Sequence, residues 1–299
     1  MEPTKQHPTL SVVMIVKNES EMLARCLNSV RFADEIIICD TGSTDHTIDV
    51  ARLYTNKIFT DYKWNDNFAE ARNHALSKAS CDWVLSIDAD EVLEPCGIKK
   101  IKNIISQTSA NALMLLLQDE KTYESHWLTR LFKRQDDIYW VVADGGYVHE
   151  TVNAPAEPCH IVIQYGQSPT HTIDPTLDLR LLMKSVNDFP ENPRNYYYLG
   201  RELYHFGHYR LALDYLQIYI SKSSFMAEKA DAFLIMSRCY WQLHLGDKAR
   251  ESCLNAININ ANFKEAVLFM AEISWQHNAE VWRNMATHCN NSNVLFVRK

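Results

Sequence analysis

The sequence predicts an α/β region built on a mostly parallel sheet, followed from about residue 174 by an all-α region. Three observations carry that expectation. Short apolar, β-branched runs alternate with helix-period stretches through roughly the first ninety residues, the signature of βαβ units. The runs end abruptly in polar or acidic residues, most sharply in Trp83-Val84-Leu85-Ser86-Ile87-Asp88-Ala89-Asp90-Glu91. Ligands of open α/β sheets collect at the carboxyl ends of their strands, so these acids sit where a site belongs. From Asp174-Pro175 onward the strand signals stop and apolar residues recur at helical spacing.

Taken in order, Leu10–Val16 is the first strand, closed by Lys17-Asn18-Glu19. Met22, Leu23, Cys26, Leu27 and Val30 recur at spacings of three and four and predict a helix over about 19–30. Glu35–Asp40 is the second strand, and the turn Thr41-Gly42-Ser43-Thr44-Asp45 offers several caps to a helix carrying Ile48, Ala51 and Tyr54. A short strand at Lys57–Thr60, a helix over Ala69–Ala79 and the Trp83–Asp88 strand follow. Gly97–Gln107 reads as a helix with Ile98, Ile101, Ile104 and Ile105 inward, Ala112–Leu117 as a buried strand, and Trp127–Arg134 as a strand alternating apolar and basic residues. Right-handed crossovers then bring Asn18, Asp40, Asp88 and Asp90 to one rim of the sheet.

Composition narrows the function. A chain of 299 residues, 46% hydrophobic, has material for two cores, and we expect two domains, residues 1–173 and 174–299. The net charge is −7 with dispersed basic residues, which disfavours nucleic acid and anionic membrane surfaces as partners. The eight cysteines include no Cys-x-x-Cys pair, as expected of buried thiols in a reducing compartment. The polar stretch Met1–Pro8 lacks the apolar core of a signal peptide and no run approaches a membrane span, so a soluble, cytoplasmic protein is expected. A glycine-rich dinucleotide fingerprint is missing after the first strand, as is a phosphate-cradling lysine loop.

Asp88 and Asp90 are two residues apart, so in an extended segment both side chains face the same way and can share a hard divalent cation, Mn²⁺ or Mg²⁺. Four motifs appear in order and register: Val13-Met14-Ile15-Val16-Lys17-Asn18-Glu19, Asp40-Thr41-Gly42-Ser43-Thr44-Asp45, Phe68-Ala69-Glu70-Ala71-Arg72-Asn73 and Asp88-Ala89-Asp90-Glu91. Together they resemble the inverting family 2 glycosyltransferases, whose Rossmann-like sheet is the glycosyltransferase A-type fold. The resemblance covers about the first 150–175 residues. It implies a nucleoside diphosphate sugar as donor, usually a UDP-sugar, and a metal held by the Asp-x-Asp pair. By the same resemblance Asn18, Glu19 and Asp40 belong to the donor site, and Arg72 and Arg130 are positioned to meet phosphate or brace the acids. Gly145-Gly146-Tyr147-Val148-His149-Glu150 resembles the acceptor-side element of part of the family. Inverting transfer needs one base to take the acceptor's proton, and Glu150 is the candidate, with Asp144 its rival and His149 a metal or phosphate contact. Each has a plainer reading: Asp40 as a turn cap, Arg72 and Arg130 as surface cations, His149 and Glu150 as a pair within a loop.

In the second half, Tyr196, Leu199, Gly200, Leu203, Ala212 and Leu216 resemble a tetratricopeptide repeat. The pattern returns with steps of 37 residues from Gly200 to Ser237 and 34 from Ser237 to Ala271, and a third, partial copy begins at Ala266–Trp275. Such repeats offer a surface for a peptide or protein partner or for a homodimer, and Tyr196, Tyr197, Tyr198 and Tyr204 are either part of that surface or packing residues. The combined architecture is similar to bacterial transferases that modify glycan, lipid-linked or peptide acceptors. Two rival readings remain beside the enzyme: a non-catalytic repeat scaffold carrying a degenerate transferase domain, and a nucleotidyltransferase.

Overall fold

The computed structural model describes residues 7–143, 146–147, 149–166, 174 and 176–289. The chain divides into two compact units, Met1–Ala143 with Tyr147–Pro175, and Asp144–Gly146 with Thr176–Lys299.

The first unit is built on one mixed sheet. β1 (Leu10–Val16), β2 (Glu35–Asp40), β3 (Ile58–Phe59) and β4 (Trp83–Ser86) are its parallel half. β5 (Glu91–Leu93), β6 (Ala112–Asp119), β7 (Ser125–Lys133) and β10 (Ala156–Tyr165) complete it, in the spatial order β3-β2-β1-β4-β7-β6-β10-β5. β7 runs antiparallel to both β4 and β6, while β10 is parallel to β6. β8 (Trp140–Val142) and β9 (Glu150–Val152) form a separate antiparallel pair.

The helices α1 (Leu23–Ser29), α2 (Thr47–Ala51) and α4 (Gly97–Ile105) cover one face of the sheet, where Leu23, Leu27, Ile101 and Ile105 join Val12, Leu85, Leu115 and Ile161 in a core. On the other face α3 (Phe68–Leu76) sets Ala69 and Ala75 against Val13, Ile37 and Val84. Those alanines let α3 lie close on the parallel strands. Asn67 starts it: its side chain accepts the Glu70 amide and donates to the Glu70 carboxylate, a reciprocal cap.

The first two strands coincide with the expected ones, whereas α1 is shorter than expected because Ser20–Met22 form turns before it. β5, the β8–β9 pair and β10 are structure that the sequence pattern does not announce. β5 has three residues, too few for a period to show. β10 carries Pro158 and a register irregularity between Pro158 and Val162, which breaks the alternation a strand is recognised by.

The second unit consists of helical hairpins: α5 (Leu177–Asp188), α6 (Pro193–His205), α7 (Tyr209–Lys222), α8 (Met226–Gln242), α9 (Gly246–Ile259), α10 (Lys264–Ile273) and α11 (Gln276–Thr287). The third repeat is not partial. α11 pairs with α10, its small residues Ala279 and Ala286 supplying the buried side. Small residues mark the close approaches: a Cβ on Gly200 would lie 2.6 Å from Leu216 Cγ, and Ser237 Oγ donates to the Ala249 carbonyl at 2.6 Å. Tyr196, Tyr197 and Tyr198 are buried packing residues, and Tyr197 donates its hydroxyl to Asp231. Among the described residues no helix is long and apolar enough to cross a membrane.

Candidate active site

The loops after β1 and β2 are latched to each other. Asn18 takes the left-handed conformation (φ 57°), which aims its amide oxygen at the Thr44 N–H, 2.7 Å away, while its own N–H donates to Ser43 Oγ at 2.9 Å. The Glu19 N–H donates to Thr47 Oγ1 and the Ser20 N–H to Asp45. Asp40 ends β2 almost fully buried, and its carboxylate accepts the N–H groups of Gly42 and Ser43. Asn18, Glu19 and Asp40 thus stand together at the carboxyl ends of adjacent parallel strands, with Asp40 also shaping its own turn.

Asp88 follows β4 on the same rim and is the centre of a charged cluster. Arg72 comes from α3 and forks onto it, with Nη1 2.9 Å from Oδ1 and Nη2 3.1 Å from Oδ2. Arg72 Nε is 2.7 Å from Glu150 Oε1 on β9, so a single guanidinium joins Asp88 to Glu150. The Trp140 ring lies 5.0 Å from the Arg72 guanidinium, a favourable cation–π contact, and Asn73 fixes that tryptophan by exchanging two 2.8 Å hydrogen bonds with its main chain.

From the other side Arg130 Nη2 reaches Asp88 Oδ2 at 2.8 Å and also donates to Glu91 Oε1. Arg130 is aimed there by an irregularity in β7: Leu131 faces Leu113, yet Thr129 faces Met114, so Arg130 is an extra residue in the strand. Such bulges redirect a side chain beside a site.

Burial opposes charge at Asp88, but Arg72 and Arg130 outweigh it and hold the carboxylate well below its ordinary range. Burial likewise works against the Arg72 charge, and Asp88 and Glu150 overcome it, so the guanidinium stays protonated. Glu91 is pulled both ways: burial and the neighbouring Asp88 and Asp90 carboxylates raise its proton affinity, and Arg130 opposes them.

The structure therefore brings Arg72, Asp88, Arg130 and Glu150 into direct contact. Neither arginine is a surface cation, since both are nearly fully buried. The strand ends at Ser86, and Asp88–Glu91 form a turn closed by the Glu91 N–H on the Asp88 carbonyl at 3.1 Å instead of the expected extended segment, so strand alternation does not set the two acids on one side. Asp90 is half-buried, and its carbonyl accepts the Gly166 N–H. His149 is exposed next to Glu150, its carbonyl accepting the Ala143 N–H. Asp144 lies outside the described residues. Among the described residues no three metal-ligating side chains converge. Two carboxylates of the Asp-x-Asp type nevertheless suit Mn²⁺ or Mg²⁺, which keep much of their coordination in water and substrate phosphate.

Glu91, Ser86 and Trp140 belong to the cluster, and none of them is among the site residues expected from sequence. Glu91 has a visible signal as the third acid of its run, whereas Trp140 reaches Arg72 only through a hairpin that no sequence pattern marks.

Residues 11–158 match the model of glycosyl transferase family 2. The prophage-derived glycosyltransferase SunS of Bacillus subtilis is 30% identical over 225 residues, which cover 70% of this chain and 53% of SunS. A TPR repeat-containing protein of Synechococcus elongatus is 38% identical over 133 residues, 43% of this chain and 32% of that protein. The chain spans about half or less of the length of these two relatives. Among solved structures, Staphylococcus aureus TarS 1-349 in complex with UDP-GlcNAc is similar with a TM-score of 0.48 and 15% identity, over 93% of this chain and 90% of that one. Residues 11–158 are thus a glycosyl transferase family 2 domain, and helical hairpins follow it in this chain.

Proposed function

We propose that the chain is a metal-dependent inverting glycosyltransferase that moves a sugar from a nucleoside diphosphate donor, a UDP-sugar in the first place, to a glycan, lipid-linked or peptide acceptor. We assign residues 1–173 to the transfer domain and 174–299 to the repeats, and place the protein in the cytoplasm. Asn18, Glu19 and Asp40 would receive the nucleoside. Asp88 and Asp90, with His149 as a further candidate, would hold Mn²⁺ or Mg²⁺, which when bound neutralises charge growing on the departing diphosphate. Asp90 is the more direct ligand of the two acids, because both oxygens of Asp88 already receive guanidinium N–H groups. Glu150 takes the proton from the acceptor's nucleophile, and Asp144 remains the alternative base.

The observation that carries this reading is the Arg72 bridge. An inverting site needs a cation beside the donor phosphates and a base on the acceptor side, and Arg72 links the carboxylate proposed to help hold that cation to the candidate base through contacts of 2.9 and 2.7 Å. Arginine suits that role, since its planar fork engages two carboxylates at fixed geometry.

The test is turnover of a panel of nucleotide sugars with Mn²⁺ and with chelator. The expected result is metal-dependent release of nucleoside diphosphate. Asp90→Ala and Glu150→Gln should each lower turnover by about 100-fold or more; Asp90→Ala should melt near wild type, whereas Glu150→Gln should melt lower because it takes a charged partner from buried Arg72. Pyrophosphate released from a nucleoside triphosphate and a sugar 1-phosphate, supplied in a parallel assay, would instead identify a nucleotidyltransferase. Absence of both donor binding and turnover would leave the repeat scaffold.

A further inference from the structure

We propose that Glu91 is a positioning residue that fixes the Asp88 carboxylate through Arg130 and, at the same time, fixes the Asp88 main chain. The proposal rests on the donor-site role given to Asp88 above. The two Glu91 oxygens divide the contacts between them, with Oε2 accepting the Asp88 N–H at 2.9 Å and Oε1 accepting Arg130 Nη2. That same Nη2 holds Asp88 Oδ2 at 2.8 Å, so Glu91, Arg130 and Asp88 close a ring that grips Asp88 at both ends.

The ring is anchored. Glu91 is 3% exposed and opens β5, where its partner in the sheet is Tyr165 of β10. Arg130 is 5% exposed and stands at the irregular step of β7. Its Nε has no hydrogen-bond partner among the described residues. A buried guanidinium left with such a donor is held in place by its carboxylates, and Glu91 is the one whose backbone is built into the sheet.

Arg72 holds the Asp88 carboxylate from α3, and the ring adds a second hold on Oδ2 and the only one of the two that also reaches the Asp88 main chain. With it, Asp88 presents a single geometry to whatever Asp90 ligates beside it. Residues that orient a ligand group from behind typically matter about 10- to 100-fold in affinity or activity.

The experiment titrates UDP into the full chain with and without Mn²⁺, for wild type, Glu91→Gln, Arg130→Lys and the double variant, with a melting curve of each. Gln keeps an oxygen for the Asp88 N–H but loses the charge facing Arg130, and Lys keeps the charge but is shorter and lacks the planar fork that sets Nη2 between the two carboxylates. The expected result for each single variant is about a 10- to 100-fold loss of Mn²⁺-dependent UDP affinity, with metal-free affinity changed less than about threefold. The double variant should lose no more than the worse single one, because both act through Asp88. Additive losses, equal losses with and without metal, or a lowered melting temperature with unchanged affinity would overturn the proposal. Should Glu91→Gln not fold, Arg130→Lys carries the same test with the same outcomes. A wild-type chain that binds no UDP overturns the proposed function itself, whereas wild-type binding with unaffected variants overturns the positioning role alone.

Discussion

Paired carboxylates do different work at the two ends of the parallel strands. At the amino ends, Glu35 is almost wholly buried and is satisfied by Ser11, Ser80 and Lys57. Burial alone would raise its proton affinity, but Lys57 and the hydroxyl and amide donors outweigh that and lower it from 4.5 to about 2. A carboxyl depressed on folding contributes stability that is present in full above the ordinary value and is lost as pH falls toward the depressed one. The shift corresponds to about 3 kcal/mol. Urea denaturation of wild type and Glu35→Gln should therefore differ by a few kcal/mol at about pH 6, and the gap should shrink as the pH is lowered from about 5 toward about 2. At the carboxyl ends, Asp88 is comparably paired, yet its side chain remains 29% exposed. In one cluster the carboxylate is hidden and its lysine partner reaches solvent; in the other the carboxylate itself keeps an opening to solvent.

At the level of elements, helix spacing is governed by the smallest residues. Gly200 in α6 would gain about 1 kcal/mol of helix propensity on replacement by alanine. The added methyl, however, would meet fully buried Leu216 at 2.6 Å and the Ala212 carbonyl at 3.3 Å. Overpacking of that kind costs about 1–3 kcal/mol, so Gly200→Ala should lower the urea midpoint while leaving UDP binding unchanged. A raised midpoint would show that α6 and α7 have room to part.

The same scale explains what the sequence makes legible. β1, β2, β4, α3 and α4 are readable because each carries a complete hydrophobic period, and the alanines of α3 place Arg72 beneath the rim. The acids after β4 are readable from their abrupt position. The Glu91–Arg130 contact is not, because it joins residues 39 apart through a strand irregularity, and no local pattern encodes such a step. Trp140 escapes for a related reason: β8 has three residues and pairs with β9 eight residues beyond its own end.

For the molecule as a whole, the two units pose separate questions. A ligand that binds only the native α/β unit raises the stability of that unit by mass action, by about 2.7 kcal/mol at about a hundred times its dissociation constant. UDP with Mn²⁺ should accordingly raise the midpoint of the transition reporting on Met1–Ala143 with Tyr147–Pro175. Mn²⁺ or UDP added singly should do less, and Asp90→Ala should abolish the joint increment. Differential scanning calorimetry with each addition tests this, and an equal effect in the Asp90 variant would remove that acid from the donor site. The helical hairpins have a complete third pair in α10 and α11, whose core includes Phe263, Val267 and Met270.

The extra residue in β7 has a consequence for how this sheet can change. Deleting one position around Arg130 would regularise the ladder to β6, an apparent improvement by the rules of strand pairing, while withdrawing the cation from between Asp88 and Glu91. Two carboxyl groups would then confront each other across a vacated space. The flaw in the weave is thus what seats the counterion, and a perfectly regular ladder at this step would have no residue to spare for it.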